Sequence, residues 1–181
     1  MSQPLTQLEP GSPRGHSGGH AISHAPVFVG APLEELEKLF PKYPTKQACL
    51  LPALWIVQRE RGWISEAAMA EVAQVLGLTT AQVKGVVTFY TMYHTHPVGR
   101  HFIQVCTTSP CGLCGAEDTL RAVLEATGCG ELGATSPDGR FTVIEVECLG
   151  ACGFPTPILV DDDFIESVTP ERVTTILEGY P

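Results

Sequence analysis

The sequence predicts an α+β fold in two parts, a helical bundle followed by a small sheet flanked by helices. Three observations predict it. Apolar residues recur at helical spacing, between recognisable caps, from about Pro32 to Tyr93. After Pro97-Val98-Gly99 the pattern changes to short alternating runs separated by loops, with one helix between the runs and another at the end. The composition, 181 residues with 44% hydrophobic and 17% charged, suits one or two small globular domains with a core of their own.

Residues 1 to 30 are rich in Gly, Ser, Pro and His with few apolar anchors, and a disordered tail is expected there. His16, His20 and His24 recur every four residues, a spacing that would align them on a helix, but Gly18 and Gly19 disfavour one. The bundle is expected over residues 31 to 98. Leu33, Leu36, Leu39 and Phe40 form its first apolar stripe, and Pro41 with Pro44 ends that segment. A second helix is expected from about Lys46 to Arg61. Ser65 reads as the N-cap of a third, with Met69, Val72, Ala73 and Leu76 inward and Gly77 as its stop. Thr79 with Gln82 makes a capping box for a fourth. Trp55, Trp63, Phe89 and Tyr90 are expected as core or interface aromatics, with core the first choice.

The second part is expected over residues 99 to 181. His101 to Val105 alternates as a strand does, a cysteine loop follows, and Ala116 to Thr127 reads as a helix with Leu120, Val123 and Leu124 inward. Phe141 to Val146 is a second strand, followed by another cysteine loop. Ile158 to Val160 and Phe164 to Val168 then form a hairpin around Asp161 to Asp163. The last helix opens at Thr169-Pro170, an N-cap followed by proline at the first helical position.

Several function classes find no support. The longest apolar stretch, Ala48 to Val57, is interrupted by Pro52 and falls short of the roughly 20 residues a membrane-spanning helix needs. Met1 to Gly19 lacks a basic segment followed by an apolar one, so a cytoplasmic, reducing environment without disulfides is expected. A formal charge of -9 gives no basic footprint for nucleic acid or anionic lipid, which leaves a protein as the expected partner. Gly128-x-Gly130-x-x-Gly133 imitates a dinucleotide fingerprint, but it follows a helix and runs into the turn Ser136-Pro137-Asp138-Gly139. His94 and His96, just before Pro97, read as part of an interdomain loop.

Chemistry is concentrated in the cysteines, of which there are seven. Cys106-x4-Cys111 and Cys148-x3-Cys152 sit in the two loops that follow strands, so two pairs of thiolates converge from separate loops, as a 2Fe-2S cluster requires. Soft sulfur donors select iron-sulfur or zinc over cations that prefer oxygen. Zinc is the alternative, although its structural sites use C-x2-C knuckles, which here only Cys111 and Cys114 offer. Cys114 also competes with Cys152 for the fourth ligand position, because Cys106-x4-Cys111-x2-Cys114 with a distant Cys148 fits the plant-type ferredoxin spacing. Cys152 is favoured because Leu149-Gly150-Ala151 lets backbone amides approach a cluster, and because Cys114 falls at the start of the next helix. Glu145 and Glu147 would lower a cluster's potential, while the hydroxyls of Thr107, Thr108 and Ser109 are candidate donors that would raise it. Cys49 and Cys129 read as packing residues. Neither a P-loop nor a true fingerprint is present, so NADH and flavin are expected on another polypeptide.

Cys106-Thr-Thr-Ser-Pro-Cys111 and Glu147-Cys148-Leu-Gly-Ala-Cys152 together resemble the thioredoxin-like 2Fe-2S subunit of NADH:quinone oxidoreductase, complex I, the NuoE family. The likeness continues through Pro52-Ala-Leu-Trp55, Gly62-Trp-Ile-Ser65, Gly85-Val-Val-Thr-Phe-Tyr90 and Pro97-Val-Gly99, and so covers about residues 32 to 181. It implies an N-terminal helical bundle followed by a thioredoxin-like 2Fe-2S ferredoxin domain, with the cluster on Cys106, Cys111, Cys148 and Cys152. It also implies a flavoprotein partner that binds NADH and FMN, and a peripheral place on the cytoplasmic face of the inner membrane. The equivalent subunit of an NAD(P)-linked hydrogenase or formate dehydrogenase, and a non-redox scaffold for the flavoprotein, stay open as alternatives.

Overall fold

Most helix boundaries of the first part coincide with a local signal, in a computed structural model that describes residues 25–181. α1 (Ala31–Glu37) carries Pro32 in its first turn, where a missing N–H is harmless. The expected second helix is divided: Thr45 caps a 3-10 turn at Lys46–Cys49, and α2 (Leu50–Arg61) continues from it until Gly62, at φ 77, reverses the chain. Ser65 accepts the Ala68 N–H to open α3 (Glu66–Leu76), which Gly77 ends at φ 70. Thr79 and Gln82 form the reciprocal capping box of α4 (Thr80–Phe89). Leu36, Leu54, Val57, Ile64, Val72 and Val83 form the buried centre of this bundle.

Two findings depart from the sequence reading. Val27 and Phe28, assigned to the tail on composition, are buried, and their N–H groups donate to the Glu71 carboxylate at 2.9 and 2.7 Å. Two apolar side chains and one chelating carboxylate suffice to bind this segment to α3. His16, His20 and His24 lie outside the described residues. The aromatics are also less buried than expected: Trp55 is 44%, Phe89 76% and Tyr90 38% exposed, and Trp63 is half-buried. The inward positions of α2 include 50, 53, 54 and 57, and those of α4 are 83 and 87, so Trp55 and Phe89 fall on outer faces. Trp55, Tyr93, Tyr90 and Phe89 instead form an edge-to-face chain over the bundle surface.

The second part is a four-stranded sheet in the order β2-β1-β3-β4. β1 (His101–Cys106) runs parallel to β2 (Phe141–Val146) and antiparallel to β3 (Ile158–Val160), which pairs antiparallel with β4 (Asp163–Ile165). Ile103, Val105, Phe141, Val143, Ile158 and Val160 share one face of the sheet by period-two alternation. That face is closed by α6 (Ala116–Thr127), which makes the parallel crossover from β1 to β2, and by α7 (Pro170–Leu177); the two helices pack on each other. The hairpin turns at Asp161, whose carboxylate accepts the Phe102 N–H at 2.8 Å and bonds His101 Nδ1 at 2.7 Å. β4 ends at Ile165, earlier than expected, because Val168 turns inward to the core.

The two parts meet at the N-terminal end of β1. Gln58 Nε2 donates to the Met92 carbonyl at 2.8 Å, and its Oε1 accepts the His94 N–H at 2.7 Å. The His94 ring lies 4.3 Å from Phe102. A cleft of about 380 Å³ between Trp63, His94, Phe102 and Asp161 marks the seam. A Cβ on Gly99 would lie 2.5 Å from the Phe141 carbonyl carbon, so only glycine lets the linker run this close to β2. Cys106 is at the other end of β1, about 17 Å away at a strand's usual rise.

Candidate functional site

Because β1 and β2 are parallel, their C-terminal ends lie at the same edge of the sheet, and the loops leaving them meet. Cys106 is the last residue of β1. Cys111 lies in α5 (Ser109–Leu113), a short helix where the sequence predicts only a loop; Pro110 sits in its first turn and presets φ for it. Both sulfurs belong to side chains buried against Ala116 and Leu149. Cys148 and Cys152 come from the loop after β2, are exposed, and have their Sγ atoms 3.4 Å apart.

The second loop folds directly onto the first. The Leu149 backbone amide lies where it lowers the Cys106 pKa, and Gly150, at φ 91, donates its N–H to Cys148 Sγ at 3.4 Å. On the other side, the Cys106 N–H donates to the Pro157 carbonyl at 3.3 Å. The small-residue loop thus supplies the amide donors expected of it, and Leu149 also packs on the buried cysteine pair. The sequence offers no cue to that packing, which depends on how the two loops stack.

The thiols influence one another. Burial alone would raise the Cys106 pKa, but hydrogen bonds from Leu149, Thr108 and Cys111 outweigh it and hold the thiol below its ordinary value. Cys111 is pushed up to about 12 by burial and by its bond to Cys106. Cys152 is raised by its neighbour Cys148. Negative charge from all three partners is felt at Cys111, so the four sulfurs form one electrostatic unit that is relieved when cations replace the protons.

Cys114 ends α5, is exposed, and its sulfur has no hydrogen-bond partner among the described residues. Cys49 and Cys129 are buried in the two cores, as a packing role requires. One hydroxyl differs from expectation, since Thr107 Oγ1 donates to Glu145 at 2.7 Å, whereas Thr108 Oγ1 lies 4.0 Å from Cys106 Sγ as well as 3.5 Å from Glu147. The carboxylates stand on the same side as these hydroxyls and are the stronger acceptors, so Thr107 is drawn away from the sulfurs. Gly128 and Gly133 lie in the connection after α6, with no strand before them, which removes the dinucleotide fingerprint.

Among the described residues no group of three or more His, Cys, Asp or Glu side chains is gathered as the ligands of one ion would be. The sulfurs are disposed as two adjacent pairs instead. A lone zinc needs four donors converging at about 2.3 Å. A two-iron cluster needs two thiolates for each iron, and the pairs Cys106 with Cys111 and Cys148 with Cys152 fit that demand.

Comparison with known proteins gives the family of the chain. The family described as "Thioredoxin-like [2Fe-2S] ferredoxin" matches residues 36–181. An NADH-quinone oxidoreductase subunit of Rhizobium meliloti is 40% identical over 147 residues, covering 81% of this chain and 87% of that protein. NADH-quinone oxidoreductase subunit 2 of Thermus thermophilus is 41% identical over 147 residues, with 80% and 81% covered. Among solved structures, an NAD+-reducing [NiFe]-hydrogenase in the H2-reduced state superimposes with a TM-score of 0.61 at 20% identity, over 73% of this chain and 22% of that one, a likeness of fold. On the family match and these relatives, the chain belongs to the thioredoxin-like 2Fe-2S ferredoxin family.

Proposed function

We propose that this protein is the electron-transfer subunit of an NADH:quinone oxidoreductase, holding a 2Fe-2S cluster on Cys106, Cys111, Cys148 and Cys152 and exchanging single electrons with the FMN of an NADH-binding partner subunit. The observation that carries the reading is the meeting of two cysteine pairs at one edge of the sheet, where Leu149 of one loop packs on Cys106 and Cys111 of the other. Relatives about 40% identical over most of the chain are named as subunits of that enzyme.

The cluster supplies a one-electron redox couple. Cys106 and Cys111 would hold one iron and Cys148 and Cys152 the other. The first pair, 1% exposed at each residue, keeps water from one side of the site. The second pair is open to a partner, with Phe154, 59% exposed, and Leu113, 90% exposed, nearby in sequence as apolar contact residues. Amides of Leu149 and Gly150 favour the reduced state, whereas the carboxylates of Glu145 and Glu147 oppose it. Among the described residues no helix is long and apolar enough to cross a membrane, and attachment on the cytoplasmic face through partner subunits is the arrangement we propose.

Low-temperature EPR of anaerobically purified protein, before and after dithionite, tests the reading. An oxidised sample without signal that gains one from a single unpaired electron on reduction is the expected result. A sample silent in both states, with zinc and no iron on metal analysis, overturns it.

A further inference from the structure

Six polar side chains are buried among the described residues: Gln58, Thr119, Thr127, Ser136, Thr142 and Thr156. Five are hydrogen-bonded. Gln58 bridges Met92 and His94, Thr119 donates to the Gly115 and Val168 carbonyls, and Thr127 donates to the Val123 carbonyl. Ser136 accepts the Phe141 N–H, and Thr142 accepts the Gly99 N–H. Thr156, only 2% exposed, is the exception, because its Oγ1 has no partner. A buried hydroxyl left unpaired opposes folding, and native proteins rarely keep one without a use for it.

The position of Thr156 indicates the missing partner. Continuing the antiparallel register of β1 and β3 past Val105 and Ile158 brings Pro157 opposite Cys106 and Thr156 opposite Thr107. The Cys106 N–H donates to the Pro157 carbonyl at 3.3 Å, which confirms that continuation. Thr156 also follows Cys152 by four residues, at the end of the second cysteine loop and just before β3. Its own carbonyl accepts the Val168 N–H at 2.9 Å, which anchors the backbone on the other side. None of the cysteine sulfurs accepts its hydroxyl as they stand, so the acceptor is sought in the group those sulfurs hold.

We propose that the Thr156 hydroxyl donates a hydrogen bond to a sulfur of the bound 2Fe-2S cluster and thereby raises the cluster's midpoint potential. Such a bond strengthens as the cluster gains an electron, so it favours the reduced form. Thr156 is a tuning residue that complements the amides of Leu149 and Gly150, and the inference rests on the cluster reading given above. Valine has nearly the same shape and would pack here without an orphaned group, which makes the retained hydroxyl informative.

The test uses the full chain, reconstituted anaerobically, as wild type, Thr156→Val and Thr156→Ser. Midpoint potential is read by EPR-monitored titration, and exchangeable protons coupled to the reduced cluster are read after transfer to D2O. Both signals report only loaded clusters, so reduced iron uptake in a variant does not obscure them; Thr156→Ala is read if valine prevents uptake altogether. The expected result is a more negative potential and the loss of one exchangeable coupling in Thr156→Val, both restored in Thr156→Ser. Unchanged potential and couplings in Thr156→Val, with greater resistance to unfolding, overturn this inference alone. A wild-type protein that shows no 2Fe-2S signal overturns the cluster reading and this inference with it.

Discussion

Replacing Gln58 by leucine should loosen the seam between the bundle and the sheet without altering the cysteine site. Gln58 is 7% exposed, and leucine fills a similar volume, so packing is largely kept. Its amide serves two backbone groups, the Met92 carbonyl at 2.8 Å and the His94 N–H at 2.7 Å, on the segment that leads into β1. Each would lose its partner, and an unsatisfied buried group costs about 1–3 kcal/mol. Because Met92 and His94 are only half-buried, water recovers part of that loss, and a net destabilisation of about 2–3 kcal/mol is expected. For a chain of this size that corresponds to a Tm lower by roughly 5–10 °C. Urea and thermal unfolding followed by circular dichroism measure it, with EPR on the same samples. Since Cys106 is at the far end of β1, the EPR spectrum and potential should match wild type. A loss below about 0.5 kcal/mol, the range of ordinary surface changes, would refute the reasoning. So would an altered cluster spectrum.

Three further perturbations examine other parts of the account. Cys152→Ser should abolish or severely destabilise the 2Fe-2S cluster while Cys114→Ser leaves its spectrum intact, as judged by iron content and EPR; a signal lost only in Cys114→Ser reverses the ligand assignment. His94 has its pKa lowered by burial, with His96 adding to the effect and Asp161 opposing it. The unfolded chain therefore binds the proton more readily, so the stability tied to neutral His94 is complete above about pH 6.5 and is lost as pH falls below it. Urea midpoints at pH 7.5 and 5.5 should show this decline, and His94→Gln should flatten it; equal slopes in both proteins would remove His94 as the cause. Phe89→Ala should change unfolding stability by less than about 1 kcal/mol, since the side chain is 76% exposed, whereas a core phenylalanine would cost about 3–5 kcal/mol. Chemical denaturation distinguishes the two.

Local signals carried most of the elements. Ser65, Thr79 with Gln82, Gly77 and Thr169-Pro170 mark helix boundaries through bonds and backbone angles that involve only residues within about four positions, so they can be read directly. The α5 helix escaped that reading because five residues are too few to display a period. The burial of Val27 and Phe28 escaped it too, since their partner Glu71 is more than 40 positions away. Trp55 and Phe89 show the same limit in reverse: their aromatic character indicates a preference for burial, but which face of a helix meets its neighbour is settled by packing.

By itself the sequence determined the two-part α+β organisation, the soft-donor chemistry of the cysteines, and the resemblance that names their partners. It could not bring the two cysteine pairs together in space. Spacing left Cys114 in competition with Cys152, and only the small Leu149-Gly150-Ala151 loop and the place of Cys114 at a helix start favoured Cys152, because ligand geometry depends on distances in space. The tertiary structure supplied those distances. Parallel pairing of β1 and β2 brings both loops to one edge, turns Thr107 toward Glu145, and accompanies a Thr156 hydroxyl left buried and unpaired at the end of the second loop. Each of these depends on contacts between residues far apart in the chain, which only the closed fold can specify.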